Sequence, residues 1–302
     1  MEQIRALKTK LAQVCPELEL WEEEPMSRHT TFRVGGPVSL MALPRSAEQA
    51  AAAVRCAAGE GIVPIFLGNG SNLLVPDEGI DAFVIKTAHG LCNASVEGTS
   101  VTAESGVLLS RLAVLARDSG LTGLEFAHGI PGSLGGAVTM NAGAYDGEMA
   151  QVVVSVTILN AAGGVETTDQ FDFSYRHSAF SDGTRLILGA RLQLQPGDPA
   201  VIRARMEELM ERRRSKQPLE WPSAGSTFKR PQGHYAAALI DQCGLKGLSV
   251  GGAQVSEKHA GFVINKGGAT CADILELMEQ VRLRVFDQTG VTLEPEVKIL
   301  GR

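Results

Sequence analysis

Two stretches of small residues dominate the chemistry this chain could perform. The first, Gly68-Asn69-Gly70-Ser71-Asn72, follows an apolar run ending at Leu67. Successive small residues leave backbone N–H groups open, and such a run can curl into an anion-binding nest to which serine and asparagine add donors. Two familiar phosphate loops are excluded. The dinucleotide fingerprint needs glycine where Leu73 stands, and a P-loop needs Gly-Lys-Ser/Thr, which is absent. On spacing alone the segment is either a tight strand-exit turn or a phosphate cradle. The second stretch, Gly129-Ile130-Pro131-Gly132-Ser133-Leu134-Gly135-Gly136, joins a stiffening proline to glycines that permit close approach, and Ser133 offers a hydroxyl. Two such loops suit a ligand with an extended phosphate linker, such as a dinucleotide. The bland alternative is that one of them only turns a corner.

Other polar segments signal less. In Tyr175-Arg176-His177-Ser178 the arginine either lies on the surface or offers a fork to a carboxylate. Gly225-Ser226-Thr227-Phe228-Lys229 is not Gly-x-Ser-x-Gly, so it is no hydrolase elbow and by itself reads as a turn. Glu294-Pro295-Glu296-Val297-Lys298 alternates like an edge strand. Arg203, Arg205, Arg212, Arg213, Arg214 and Lys216 form a basic segment, read mostly as a solvated helix face with cations at its C-terminal end. Lys216 lies close in sequence to Ser226 and could instead face an anion, joined by Lys229, Arg230 and Lys246. The six histidines show no metal-ligand spacing, and no metal is expected.

These segments need elements to position them. Ile4, Leu7, Leu11 and Val14 mark a short N-terminal amphipathic helix. Ser46 with Gln49 forms a capping-box pattern that opens a helix closed by Gly59 and Gly61. Ile62–Leu67 reads as a buried strand leading into the first glycine loop, and Phe83–Lys86 as another. Strand, helix, strand with glycine loops at strand ends is an α/β signature. Val101–Glu104 is then followed by a helix presenting Leu108, Leu112 and Leu115, stopped by Gly120. Val152–Leu159 and Leu186–Leu194 read as long strands. Beyond Pro196-Gly197-Asp198-Pro199, a helix with Ile202, Met206, Leu209 and Arg213 on one face opens an α+β segment of ordinary domain size. A last helix, with Ile274, Leu277, Met278, Val281 and Val285 inward, ends at Gly290.

Composition bounds the partners. The chain has 302 residues, 44% hydrophobic and 21% charged, with a net charge of −6, which argues against a bulk electrostatic grip on nucleic acid. No apolar run nears the ~20 residues of a spanning helix, and Met1-Glu2-Gln3-Ile4-Arg5 lacks a signal-peptide core. Cys15, Cys56, Cys92, Cys243 and Cys271 are odd in number and scattered, so a reduced, cytoplasmic protein without membrane partner is expected. With no apolar stripe in view, the expected state is a monomer.

Taken in order, the motifs resemble one family, the UDP-N-acetylenolpyruvoylglucosamine reductases (UDP-N-acetylmuramate dehydrogenases). The similar segments include Thr30-Thr31-Phe32-Arg33-Val34-Gly35-Gly36, Gly68–Val75, Gly123-Leu124-Glu125-Phe126 with Gly129-Ile130-Pro131-Gly132, and Met140-Asn141-Ala142-Gly143-Ala144. Tyr175-Arg176-x-Ser178-x-Phe180, Ala224-Gly225-Ser226-x-Phe228-Lys229, Gly244-Leu245-Lys246-Gly247, Ser256-Glu257-Lys258-His259 and Glu294-Pro295-Glu296-Val297 follow.

The resemblance implies an α+β / α/β chain. A two-part FAD-binding fold of the vanillyl-alcohol-oxidase (PCMH) type precedes a C-terminal α+β substrate domain. The segments would be residues 1–25 (helix), 26–90 and 91–198 (the two FAD-binding parts) and 199–302 (substrate part). It implies a cytoplasmic flavoenzyme of peptidoglycan precursor synthesis, with FAD bound non-covalently and NADPH as reductant. The enzyme would reduce UDP-N-acetylglucosamine enolpyruvate to UDP-N-acetylmuramate, by hydride from reduced flavin and a proton from Ser226. Arg176 and a protonated Glu296 would stabilise the aci-carboxylate formed on the way. FAD would be held by Arg33, Gly68, Asn69, Gly70, Ser71, Asn72, Gly129, Ile130, Pro131, Gly132, Ser133, Gly136, Asn141 and Gly143. The substrate would meet Tyr175, Lys216, Lys229, Lys246 and His259. Arg230 departs from the family's usual asparagine. Leu186 follows Phe180 too closely for the tyrosine-bearing lid loop of one branch, so the chain resembles the shorter subtype. Two other classes compete: another FAD-dependent oxidoreductase of the same fold, and a non-catalytic flavin- or nucleotide-sugar-binding protein. The retained Ser226 and Glu296 count against both.

Overall fold

The computed structural model describes residues 2–301. The chain forms two compact units: Met1–Glu23 with Ser39–Asn69 and Asp81–Glu211, and Glu24–Val38 with Gly70–Ile80 and Arg212–Arg302.

The first unit contains two cores. Helices α1 (Glu2–Val14) and α2 (Ala47–Gly59) bury Leu7, Leu11, Ala50, Ala53, Val54 and Ala57 with Leu40, Phe83 and Ile85. The sheet beside them has strand order Glu19–Pro25, Pro37–Leu43, Ile80–Lys86, Ile65–Leu67, the last two running parallel. Ser46 opens α2 as its sequence suggests, accepting from Gln49 N at 3.3 Å. The reciprocal bond reaches one residue further back, from Arg45 N to Gln49 Oε1 at 2.7 Å. The expected strand at Ile62–Leu67 is only Ile65–Leu67. Pro64 has no N–H to give a ladder, and Val63 is 79% exposed.

The second core lies on a five-stranded antiparallel sheet, in order Val165–Thr168, Val153–Leu159, Leu186–Gln193, Ser100–Glu104, Ala94–Glu97. Helices α3 (Leu109–Asp118) and α4 (Leu134–Thr139) cover it. The inward face of α3 is Leu109, Leu112, Ala113 and Ala116, not Leu108, Leu112 and Leu115. Leu108 is the N-cap, 41% exposed, because the chain is still extended there and bridges to Ser133. Helix α5 (Pro199–Lys216) buries Ile202, Met206 and Leu209 as its spacing predicts.

In the second unit, α6 (Ala236–Gln242) and α7 (Cys271–Thr289) pack with a three-stranded sheet, Ser249–Val250, Ala253–Val255 and Val263–Asn265. Gly290 closes α7 at φ 72°, the left-handed stop for which glycine is suited. Strands Leu73–Leu74 and Lys298–Ile299 pair in parallel in the same unit. Among the described residues no helix is long and apolar enough to cross a membrane.

Candidate active site

Within the first unit, Gly68 and Asn69 of the first glycine loop meet the second. Asn69 Nδ2 donates to Pro131 O at 2.6 Å. A Cβ on Gly68 would stand 2.2 Å from Ser133 Oγ, so only glycine lets the two loops approach this closely. The second loop is anchored from below: Leu109 N bonds Gly132 O at 3.0 Å, Leu134 N bonds Val107 O at 2.8 Å, and Gly135 N bonds Ser105 O at 2.8 Å. Ser105 Oγ, His128 Nδ1 and Ser133 Oγ are buried with no hydrogen-bond partner among the described residues. Buried polar atoms of that kind are groups a bound ligand could satisfy. Gly129, Ile130 and Gly132 are half-buried, while Pro131 and Gly136 face outward.

Arg176 sits at the tip of a two-residue turn, closed by Ser174 N to His177 O at 3.1 Å and His177 N to Ser174 O at 3.2 Å. Its φ is +56°, a left-handed conformation costly for a side chain with Cβ. Strain of this kind persists only where surroundings over-determine it, and here they do. Asn141 Nδ2 donates to Ser174 O at 3.2 Å, and the hydroxyls of Ser178 and Ser181 donate to Thr139 O at 2.8 and 2.9 Å. Asn141 Oδ1 also accepts from Ala150 N at 2.9 Å, so this amide works as an internal brace of the Arg176 turn. The Arg176 guanidinium lies 5.1 Å over the exposed Tyr175 ring. Gly143 has a packing reason: a Cβ there would meet Gly147 O at 2.7 Å across the hairpin whose tip is Tyr145 and Asp146, with φ of +52° and +66°.

The second unit brings Ser226 and Glu296 to adjacent backbone. Phe228 bridges Pro295 antiparallel, with Lys229 N to Glu294 O at 2.8 Å and Glu296 N to Thr227 O at 2.8 Å. Thr227 is buried and fixed in turn, its N donating to Gly261 O and its Oγ1 accepting from Val263 N, both at 2.9 Å. Gly225, at φ 76°, makes the turn that delivers Ser226 to this pairing. Gly70 also belongs to this unit and is pressed against His29: a Cβ would stand 1.8 Å from His29 O. Ser71 is half-buried, and Arg33 is exposed at φ 56°. The side chain of Asn72 turns to Glu296 O at 3.1 Å. Lys229 Nζ reaches Glu294 at 3.5 Å, an exposed pair of little energetic weight.

His259, Lys246 and Lys216 form a third cluster, in the second unit. The half-buried His259 ring accepts from Gly261 N at Nδ1 (3.1 Å) and stacks edge-on to Phe262 at 5.0 Å. Burial pushes its imidazole below the ordinary value, and the Lys246 and Lys216 charges add to that. The two ammonium groups that act on this ring would also favour an anion bound near it. Lys246 also pairs with Asp241 at 2.8 Å. Arg230 stacks 4.5 Å over Tyr235.

Sequence reasoning missed the supports. Asp77 accepts from Cys271 N at 2.7 Å and Ala272 N at 3.0 Å, capping α7 from 194 and 195 residues away. Glu125 holds the turn before the second glycine loop, accepting from Thr122 Oγ1 at 2.6 Å and Gly123 N at 2.8 Å. No local pattern marks Asp77. The short spacing of Thr122, Gly123 and Glu125 could have marked the other. Among the described residues no group of histidine, cysteine, aspartate and glutamate could hold a metal.

Residues 217–300 match the family described as UDP-N-acetylenolpyruvoylglucosamine reductase, C-terminal domain, and residues 38–169 match the FAD binding domain family. Among curated relatives, the UDP-N-acetylenolpyruvoylglucosamine reductase of Caldanaerobacter subterraneus subsp. tengcongensis is 47% identical over 297 residues, covering 98% of each chain. That of Clostridium botulinum (strain Hall) is 50% identical over 281 residues, 92% of each. A solved structure of the reductase from Thermus caldophilus superposes with a TM-score of 0.80 at 34% identity, covering 94% of this chain and 98% of that one. With these matches the fold class stands as expected: a two-part FAD-binding fold of the vanillyl-alcohol-oxidase type with a C-terminal α+β part.

Proposed function

The chain belongs to the UDP-N-acetylenolpyruvoylglucosamine reductase family, and from that premise we propose that it reduces UDP-N-acetylglucosamine enolpyruvate to UDP-N-acetylmuramate, with NADPH as reductant and FAD as cofactor. The observation that carries the reading is the pairing that fixes Glu296 N on Thr227 O at 2.8 Å, one residue from Ser226.

The residues present fit FAD. Gly68 admits Ser133 where any side chain would block it, and Asn69 ties that loop to Pro131 at 2.6 Å. Ser133 and His128 keep buried polar atoms for which the protein offers no partner among the described residues. We assign the cofactor to Arg33, Gly68, Asn69, Gly70, Ser71, Gly129, Ile130, Pro131, Gly132, Ser133 and Gly136, with Asn141 and Gly143 as supports. In functional terms residues 26–90 and 91–198 serve the cofactor and residues 199–302 the sugar nucleotide. Bound FAD supplies the two-electron chemistry that links NADPH to the enolpyruvyl double bond.

Reduction of that double bond drives negative charge into the substrate carboxylate as an enediolate. Arg176, held by its braced turn, offsets the charge with a guanidinium whose fork matches two oxygens. Glu296, as a carboxylic acid, donates a hydrogen bond to the same group. Donors fixed in advance where charge develops are commonly the largest catalytic contribution. Ser226 gives its hydroxyl proton to the carbon next to the carboxylate. Serine is a weak acid, so this requires a strongly basic intermediate and fixed geometry. Lys216, Lys246 and His259 receive the diphosphate, Tyr175 and Lys229 complete the substrate contacts, and Arg230 supplies a cation where the resemblance leads one to expect an asparagine. Only residues 181–185 separate Phe180 from the strand at Leu186, in keeping with the shorter subtype. A reaction on NADPH and a UDP-sugar belongs to the cytoplasm, and we read the chain as a monomer.

Anaerobic flavin absorbance tests this directly. NADPH should bleach the flavin band and UDP-N-acetylglucosamine enolpyruvate should restore it. In Ser226→Ala the bleaching should persist and the recovery should collapse; recovery at the normal rate would remove Ser226 from the mechanism.

A further inference from the structure

Asn72 closes the first glycine motif, yet its backbone carbonyl and its side-chain Nδ2 are both committed to the C-terminal segment. Its backbone carbonyl accepts from Lys298 N at 3.0 Å, and its side-chain Nδ2 donates to Glu296 O at 3.1 Å. Lys298 lies opposite Leu73 in the parallel pairing of Leu73–Leu74 with Lys298–Ile299. A parallel ladder continued by one step would reach Glu296 O with a backbone N–H. The pairing stops short, and the Asn72 side chain makes that contact instead. On the other flank, Glu296 N is held by Thr227 O at 2.8 Å. The peptide groups on both sides of the Glu296 Cα are therefore pinned, which fixes the backbone position from which its side chain starts.

The geometry points to Asn72 as a positioning residue for Glu296, distinct from the cofactor contacts the motif suggests. This rests on the reading that Glu296 acts on the substrate carboxylate. Aspartate at 72 keeps the size but replaces the donor with an acceptor facing a carbonyl. Alanine simply removes the donor. Either change releases one flank of Glu296. A displacement of about 1 Å at a catalytic group can cost roughly 100-fold in rate, so a 10- to 100-fold loss is expected in the step Glu296 serves, and only there.

The test uses the full-length holoenzyme in anaerobic stopped flow, following flavin reduction by NADPH and reoxidation by UDP-N-acetylglucosamine enolpyruvate, with flavin content measured in parallel. Asn72→Ala should keep its flavin and its reduction rate while reoxidation slows at least 10-fold. In a Glu296→Gln background the same change should slow reoxidation less than about 2-fold, because the group it positions is already disabled. Asn72→Asp, which conserves volume, should repeat the pattern if the alanine variant folds poorly. Loss of flavin, or equal slowing of both half-reactions, would return Asn72 to the cofactor loop and overturn the assignment. Full additivity with Glu296→Gln would do the same. If Glu296→Gln alone leaves reoxidation unchanged, the reading of Glu296 fails first and the positioning role falls with it.

Discussion

Gly68 and Gly70 stand two residues apart in one motif, but substitution at each should fail for a different reason, and only one failure should be reversible. An alanine Cβ at Gly68 would lie 2.2 Å from Ser133 Oγ, 3.5 Å from Ser133 Cβ and 3.9 Å from Gly136 N. The single offending atom is a hydroxyl. Overpacking of this size costs about 1–3 kcal/mol, and at about 1.4 kcal/mol per decade of affinity that is roughly 5- to 150-fold in FAD binding. Adding Ser133→Ala deletes the hydroxyl and leaves a nearest contact of 3.5 Å, ordinary van der Waals distance. The double variant should therefore bind FAD about as tightly as Ser133→Ala alone, the penalty at Gly68 being gone. At Gly70 the collision is with backbone, His29 O at 1.8 Å and His29 C at 2.9 Å, and φ is +62°. Left-handed alanine alone costs about 1–2 kcal/mol, and no side-chain deletion removes a carbonyl. The assay is FAD titration of deflavinated protein by flavin fluorescence, beside a thermal melt, with Ser133→Ala alone as reference. If Gly68→Ala binds FAD like the parent, or if the double variant binds it much more weakly than Ser133→Ala alone, the cradle assigned to these loops is wrong.

Three further outcomes are expected. Asp77→Ala removes two charge-assisted acceptors from the start of α7 and should cost about 1–2 kcal/mol in denaturant unfolding, within the range of lost caps; unchanged stability would mean that water replaces the carboxylate. Arg176→Lys should slow flavin reoxidation by substrate while leaving reduction by NADPH intact, since an ammonium has no fork; equal rates would dismiss the bidentate role. The His259 ring proton should titrate below the ordinary histidine range, and Lys246→Gln should move it upward in an NMR titration. Because the native value is depressed, the unfolded chain binds a proton first as pH falls. The contribution of this ring to stability is therefore complete above about pH 6.5 and declines below it. No upward shift in Lys246→Gln would separate Lys246 from the histidine.

Local physics made much of this fold legible. The inward faces of α5 and α7, the Ser46 cap, the Gly290 stop and the long antiparallel strands follow from periodicity and capping alone. Errors arose where a neighbour overrode pattern. Leu108 fits a helical face by spacing but is still extended when it bridges Ser133, and Pro64 shortens a strand that its apolar flanks suggested. The discontinuous unit is a different matter. Nothing in the composition of residues 24–38 or 70–80 says that they assemble with residues 212–302. Bonds such as Asp77 to α7 and Asn72 to Glu296, 194 to 224 residues apart, have no one-dimensional signature. At the candidate site the motif positions were legible as a set, while the division of labour among them was not. Asn141 carries glycine-loop neighbours on either side in sequence, yet its amide braces the Arg176 turn.

The parallel pairing of Leu73–Leu74 with Lys298–Ile299 bears on how the chain is made. A ribosome extends the chain by about 5–20 residues per second, so Leu73 waits on the order of ten seconds or more for its partner. Through that interval the nascent second unit carries an open strand edge that nothing yet synthesised can close, and the loop finally closed is among the longest the chain allows. A product that stops before Lys298 lacks the partner that pairs with Leu73–Leu74, and an unpaired strand edge is a template for association with other chains.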